Sequence, residues 1–202
     1  MRYAEDHPGD SCWSYNERAT LSTFVGAAWR RNWFALEEFG TEKHRDERDA
    51  VSGEKLTGYG RCDLFLSNAS TSYVIEAKQS WQRIGPRVRV TNGHLDQKIE
   101  SAFNDIAKIQ KFEANKRIAL TFVAPSFPAS LLRGMSERDS FLASTDIVET
   151  WLESLSSIRA VHASAWAFPH VARCLKNHDD SRVFPGVVAL LRECKRAARV
   201  AR

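Results

Sequence analysis

Residues 59–78 read YGRCDLFLSNASTSYVIEAK, and this stretch decides the fold. Two apolar and aromatic runs flank the turn-prone segment 68–71, which predicts two strands joined as a hairpin. Side chains alternate between faces along a strand, so Val74, Glu76 and Lys78 share one face of the second strand. A carboxylate and an ammonium are therefore expected side by side where an apolar strand ends.

A second carboxylate lies in the first strand of this hairpin, where Asp63 interrupts an otherwise apolar run. Antiparallel pairing through the short turn is expected to bring Asp63 near Glu76, with Lys78 beside them. Carboxylates are hard oxygen ligands suited to Mg²⁺, and a bound metal polarises a phosphate and lowers the pKa of a water. A lysine can orient that water or help to deprotonate it, or it can neutralise charge that develops on the phosphate. The pattern thus predicts hydrolysis of phosphodiester bonds.

An acid-x-Lys triplet occurs three times in the chain, so the triplet alone is weak evidence. The triplet at 96–98 opens a predicted helix with no strand before it. The triplet at 193–195 follows Asp180 by the thirteen residues that also separate Asp63 from the acid of the triplet at 76–78, but Asp180 lies in a polar turn. Strand context therefore favours 76–78. The alternative is a surface acid and lysine at a strand end, with Asp63 in a turn.

Apolar periodicity and turn residues around this hairpin predict the chain order α-β-β-β-α-β. Ser14 is expected to cap the first helix, with Glu17 as the acid of a capping box. The most polar segment, 41–58, is expected to form a long loop or flap. The predicted elements are a helix at 15–31, strands at 33–39, 59–67 and 72–78, an arginine-rich loop at 81–93, a helix at about 94–113 and a strand at 116–125 stopped by Pro125.

The last third of the chain is expected to extend and decorate the sheet. Periodicity predicts a helix at about 145–156 and a strand at 159–168, whereas 183–194 fits an edge strand or a helix. We therefore expect a single α/β domain over 1–202, with a core at about 15–125 and a C-terminal extension from about 126 onward.

The order α-β-β-β-α-β, with Asp63 thirteen residues before Glu76-Ala-Lys78, resembles the PD-(D/E)XK nuclease superfamily. The resemblance implies a restriction-endonuclease-like mixed β-sheet flanked by helices, metal-dependent nuclease activity on DNA, and Mg²⁺ or Mn²⁺ as cofactor. It further implies that Asp63, Glu76 and the main-chain carbonyl of Ala77 ligate the metal, while Lys78 serves the attacking water. Cys62 departs from the superfamily's pattern, because proline often stands at that position.

Further side chains are candidates for the same site. Many members of the superfamily add an acid from the first helix, which Glu17 would supply here, with Glu37 and Glu38 as weaker substitutes. The capping-box role explains Glu17 equally well. Gln79, directly after the lysine, resembles a residue found in some branches and is a candidate for contact with nucleic acid.

A basic segment follows the triplet. Arg83, Arg87 and Arg89 come after Lys78 with no acid between them. They could grip the phosphate backbone, or they could belong to an ordinary exposed loop. Trp81 could stack on a base or pack in the core.

Composition and charge are compatible with a nucleic-acid partner. The net charge is +4, with eight basic against four acidic residues in 79–117 and five against one in 192–202. The four cysteines form no C-x-x-C pair, the N-terminus has no apolar signal region, and no run of about 18 apolar residues occurs, which favours a cytoplasmic protein without a membrane partner. A homo-oligomer is compatible with the sequence. Two other classes stay open: a catalytically silent nuclease-fold module that binds nucleic acid, and an interaction or assembly protein with an acidic protein partner.

Overall fold

The computed structural model describes residues 6–7, 10–50, 52–88, 93–110, 114–155, 161–176 and 181–195, except the side chain of Asp46. These residues form an α/β fold in which helices flank a mixed sheet of seven strands. The helices are α1 Cys12–Tyr15, α2 Glu17–Trp29, α3 Gly93–Lys108 and α4 Glu137–Leu155, with 3-10 turns at Ala129–Leu132 and His170–Ala172. The strands are β1 Phe34–Arg48, β2 Lys55–Ser67, β3 Ser72–Arg83, β4 Lys116–Pro128, β5 Ala163–Ala167, β6 Arg182–Val183 and β7 Val187–Glu193.

The sheet runs in the order β1-β2-β3-β4-β7-β5, with β6 paired to β4 outside this path. Strands β3 and β4 pair in parallel, and the other described pairs are antiparallel. A parallel pair needs a crossover connection, which α3 supplies here. The predicted hairpin of β2 and β3 and the predicted helix that follows them are confirmed at this level of description.

Helices cover both faces of the sheet. Side chains of β4 alternate between these faces and pack in a core on each of them. Leu120 and Phe122 pack in one core with Leu21 and Val25 of α2. Val123, on the opposite face, packs in a second core with residues of α3 and α4. The apolar stripe of α3 is buried as predicted, with Leu95, Ile99, Ala102 and Ile106 against the sheet. The helix ends at Lys108, and 111–113 lie outside the described residues.

The start of α2 differs from the prediction. Asn16, not Ser14, is the N-cap, and its side chain accepts a hydrogen bond from the Ala19 amide at 2.9 Å. Ser14 belongs to α1, where its hydroxyl donates to the Ser11 carbonyl. The extended backbone of Asn16 separates the two helices, so Ser14 cannot reach the first turn of α2. Glu17 is therefore not a capping-box acid.

The segment 41–58, predicted to be a long loop or flap, contains strand residues and is not an irregular loop. Residues 40–50 and 52–61, called the hairpin arm below, continue β1 and β2, and the Asp49 amide donates to the Glu54 carbonyl at 2.8 Å where the arm turns. Its register runs through Thr41↔Gly60 to His44↔Thr57, before a shift ahead of Arg48. Most arm residues are exposed, so both faces of much of the ladder tolerate polar side chains. The apolar alternation that usually reveals a strand is consequently absent there.

Two predicted breaks inside the sheet are also wrong. Strand β3 continues to Arg83, so the predicted loop at 81–93 begins later. Strand β4 passes through Pro125, which lies opposite Gln82. The ladder with β7 has already ended at Val123, and the pairing with β6 begins only at Phe127. The missing amide hydrogen of the proline therefore costs no bond on that side of β4.

The C-terminal third adds two strands to the sheet path and covers one of its faces. Helix α4 begins eight residues before its predicted start at 145, and β5 occupies the middle of the predicted strand at 159–168. The ambiguous segment 183–194 contains β7, which lies between β4 and the edge strand β5. Within the described ranges, no helix is both long and apolar enough to cross a membrane.

Candidate functional site

The site begins where β2 separates from β3. The antiparallel ladder between these strands runs from Ser67↔Ser72 to Leu64↔Ile75 and stops there. At the next position the carboxylate of Asp63, not its backbone, accepts the hydrogen bond of the Ala77 amide, at 2.7 Å. Because the backbone ladder ends at this point, the side chain of Asp63 lies beside β3, where its carboxylate could serve as a metal ligand.

Glu76 is the buried member of the site. Its side chain is 4% exposed, and Oε1 accepts a hydrogen bond from the Lys43 ammonium at 2.5 Å. Burial raises the pKa of Glu76 to about 7, and the negative charge of Asp63 adds to the rise. Lys43 and Lys78 offset part of it. Burial is the larger cause of the raised pKa, and repulsion from Asp63 is the second, as expected for two carboxylates on neighbouring strands.

Lys78 shares the face of Glu76, as the strand alternation predicts. Its ammonium lies 3.1 Å from Oδ2 of Asp105, which belongs to α3. Burial on its own would lower the pKa of Lys78, but Asp105, Asp63 and Glu17 outweigh this effect and raise it. The neighbouring acids therefore favour the charged form of Lys78.

Glu17, the first residue of α2, also lies close to the predicted site. Its Oε2 accepts the main-chain amide of Gln79 at 2.9 Å. Burial raises the pKa of Glu17, Lys78 and Lys98 lower it, and Asp63 raises it further. The carboxylate thus feels the charges of Asp63 and Lys78, although its closest bond is to the backbone of β3. Glu37 and Glu38 do not join the site, because they bond to Ser22 and Arg18 of α2.

Gln79 does not reach a nucleic-acid surface, which corrects the prediction. Its side chain points to the opposite face from Lys78 and is 2% exposed. Its amide nitrogen donates to the Trp13 carbonyl at 2.9 Å, and its oxygen accepts from Thr20 at 2.8 Å. Gln79 therefore ties β3 to α1 and α2 and holds Glu17 in position through its main chain.

The basic residues after the triplet lie at the surface. Arg83 ends β3 opposite Ser126, and Arg87 lies in the turn that follows; both are exposed. Arg89 lies outside the described residues. Trp81 is 44% exposed, and its indole nitrogen donates to the Ser14 carbonyl at 3.4 Å, so its ring is not part of the core.

The residues present fit a metal only in part. Within the described residues, no three His, Cys, Asp or Glu side chains lie close enough to hold an ion. Asp63 and Glu76 nevertheless give two hard oxygen ligands on neighbouring strands, and Mg²⁺ is commonly held by one or two carboxylates with several waters. A bound cation would offset the repulsion between the buried carboxylate of Glu76 and the like charge of Asp63.

Two residues of the site were missed by the sequence analysis. Lys43 lies in the segment that was predicted to be a loop, so no strand face was assigned to it. Asp105 is on α3, immediately before Ile106 of the buried stripe. Asp105 could have been found from its position at the border of the apolar face of α3, because a side chain at that border can point toward the sheet. No local signal identifies Lys43, because its partner Glu76 is 33 residues away.

Neither the models of known protein families, nor the curated proteins, nor the solved structures with which the chain was compared gave a match.

Proposed function

We propose that this chain is a divalent-metal-dependent nuclease of the PD-(D/E)XK type, with a restriction-endonuclease-like core, that hydrolyses phosphodiester bonds in DNA. One observation carries the proposal. The carboxylates of Asp63 and Glu76 meet where β2 leaves β3, and Lys78 is on the same face of β3. The choice of DNA rests on the resemblance of this pattern to the nuclease superfamily.

Each residue has a role in this proposal. Asp63, Glu76 and the main-chain carbonyl of Ala77 would hold Mg²⁺ or Mn²⁺. The bound ion would polarise the scissile phosphate and lower the pKa of a water. Lys78 would orient that water and neutralise charge that develops on the phosphate. Its ion pair with Asp105 of α3 would favour its charged form until substrate arrives.

The ion pairs favour one alternative as a second candidate. Both lysines near the carboxylates already have acidic partners, Lys43 with Glu76 and Lys78 with Asp105. A nuclease-fold module that only binds nucleic acid could keep both ion pairs intact, because it would need neither lysine to leave its acidic partner. Such a module would retain DNA in the presence of EDTA and would not cut it.

The experiment compares plasmid and single-stranded DNA in the presence of Mg²⁺, Mn²⁺ or EDTA. Cleavage that requires the metal supports the nuclease, retention without cleavage supports the binding module, and neither supports an interaction protein. Asp63→Asn is the sharpest variant, because its amide oxygen can still accept the Ala77 hydrogen bond while the charge is lost.

We expect Asp63→Asn to fold, to bind DNA and to lose cleavage. Glu38→Gln is the matched control, because Glu38 is an exposed acid on β1 that pairs with Arg18 of α2. Cleavage at the parental rate by Asp63→Asn would remove the basis of the proposal.

A further inference from the structure

The Lys43 ammonium occupies a position that the proposed metal would need. It lies 2.5 Å from Oε1 of Glu76, and the Glu76 side chain is 4% exposed. A lysine and a metal ion cannot both contact the same oxygen of one buried carboxylate without strong repulsion between the two cations. The ion pair therefore bears directly on when the site accepts a metal.

The placement of Lys43 is built into the hairpin arm. Its backbone forms an antiparallel bridge with Ile109, just after α3. Next to it, Gln110 donates a hydrogen bond to Glu42 at 2.9 Å. These contacts fix the base of the arm against the end of α3, so the Lys43 side chain starts from a defined point.

A glycine lets the Lys43 side chain cross the arm. A Cβ added at Gly60 would lie 2.9 Å from Cδ and 3.0 Å from Cγ of Lys43, closer than such atoms ordinarily approach. The bare backbone of Gly60 thus makes room for the methylene stem. A neighbouring glycine on the same face, Gly58, makes room for Arg45 in the same way, with its guanidinium 2.6 Å from the added atom.

The environment of Lys43 also allows it to leave. Its side chain is 25% exposed, whereas that of Glu76 is 4% exposed. Lysine is a flexible, strongly hydrated point charge, and its stem can swing without moving the backbone. Glu76, in contrast, is held on a central strand between β2 and β4. When a divalent cation arrives, the lysine is the partner that moves.

We propose that Lys43 is a tethered counter-ion that holds the place of the metal at Glu76 and is displaced when the metal binds. This inference rests on the proposed function and adds a control on its cofactor. In the metal-free protein the ammonium offsets the repulsion between Asp63 and Glu76. In the presence of metal it competes with the ion, so the site fills at a higher metal concentration than it would without the lysine. If Glu76 is free of Lys43 about one-tenth of the time, the apparent dissociation constant for the metal is about tenfold the intrinsic one.

The test is calorimetric titration with Mg²⁺ at about pH 8.5, together with melting temperatures in EDTA and in Mg²⁺. We expect Lys43→Met to bind Mg²⁺ about tenfold more tightly or better, because the competing cation is gone. Its melting temperature in EDTA should fall, because a buried carboxylate loses its counter-ion. The rise in melting temperature on adding Mg²⁺ should be larger than in the parent protein.

A second variant keeps the test decisive if Lys43→Met folds poorly. Gly60→Ala retains the lysine but pushes its stem aside, so Mg²⁺ affinity should rise in the same direction by a smaller factor. Gly58→Ala is its matched control, since it displaces Arg45 on the same face of the same strand. Lys55→Met removes an exposed lysine of the arm. Both controls should stay within about twofold of the parent affinity.

The outcomes separate this inference from the proposed function. If the parent protein binds Mg²⁺ and cuts DNA, but Lys43→Met binds Mg²⁺ equally or more weakly, the inference is overturned and the nuclease stands. If the parent protein neither binds Mg²⁺ nor cuts DNA, the nuclease falls and the inference falls with it. Tighter binding by Lys43→Met and Gly60→Ala, with both controls unchanged, supports the counter-ion.

Discussion

Removal of the charge of Glu76 is expected to stabilise the metal-free protein. Burial raises the pKa of this carboxyl from its ordinary value of 4.5 to about 7, so the folded protein binds its proton more tightly than the unfolded chain does. Stability from this group is complete below about pH 4.5 and is lost as the pH rises toward and beyond 7. Each pKa unit is worth about 1.4 kcal/mol, so a rise from 4.5 to about 7 corresponds to a loss of about 3–4 kcal/mol.

The variant Glu76→Gln should escape this loss. Its amide stays neutral at every pH and can still accept a hydrogen bond from Lys43. We expect its free energy of unfolding in EDTA to exceed that of the parent protein by about 3–4 kcal/mol near pH 8 and to match it near pH 4. Other carboxyl groups titrate in both proteins, so the difference between the two curves isolates Glu76.

Urea unfolding followed by tryptophan fluorescence, repeated from about pH 4 to pH 8.5, measures this difference. Glu38→Gln provides the control, because an exposed ion pair such as that of Glu38 and Arg18 is worth less than about 1 kcal/mol. A Glu76→Gln protein that is less stable than the parent near pH 8 would show that the ion pair with Lys43 outweighs the cost of burial. The account of the site as a strained pair of carboxylates would then be refuted.

Three further predictions address the remaining residues. Lys78→Met should spare Mg²⁺ binding in calorimetry while lowering the cleavage rate about 10²–10⁴-fold, and cleavage at the parental rate would reduce Lys78 to a strand-end lysine. Arg83→Ala combined with Arg87→Ala should lower the slope of log K against log salt for DNA binding by about two in fluorescence anisotropy, whereas an unchanged slope would assign both to plain solvation. Gln79→Leu should lower the free energy of unfolding by about 2–4 kcal/mol in urea, because it leaves the Trp13 carbonyl and the Thr20 hydroxyl without their partner; a change below about 0.5 kcal/mol would contradict its structural role.

The central part of the site could be predicted because it is local in the sequence. The hairpin that carries Asp63 and Glu76 spans few residues and has apolar runs on both sides of a turn. The alternation of side chains along a strand then places Glu76 and Lys78 on one face without any knowledge of the fold. The apolar stripe of α3 is recognised for the same reason, since its periodicity is complete within one segment.

The rest depends on contacts between distant segments. The hairpin arm has no apolar alternation because most of its residues face solvent, so the strand pattern that reveals β3 is missing and Lys43 is lost with it. Pro125 is tolerated in β4 because the pairing with β7 ends before it and the pairing with β6 begins after it. No local sequence pattern indicates where those pairings lie. Gln79 was assigned to the surface by its place next to Lys78, although strand alternation sends the two side chains to opposite faces.

The bond that holds Trp13 has a consequence for the order in which the protein folds. The Trp13 carbonyl accepts from Gln79, while its indole nitrogen donates to the Phe184 carbonyl at 3.0 Å, 171 residues later in the chain. During synthesis at about 5–20 residues per second, Phe184 follows Trp13 by on the order of 10–30 s. A contact of such long sequence separation carries a high loop-closure cost and is expected to form late. Helix α1 is thus expected to be among the last elements to dock, and pulse-labelled hydrogen exchange on the refolding protein should find the amides of α1 protected after those of β3 and β4.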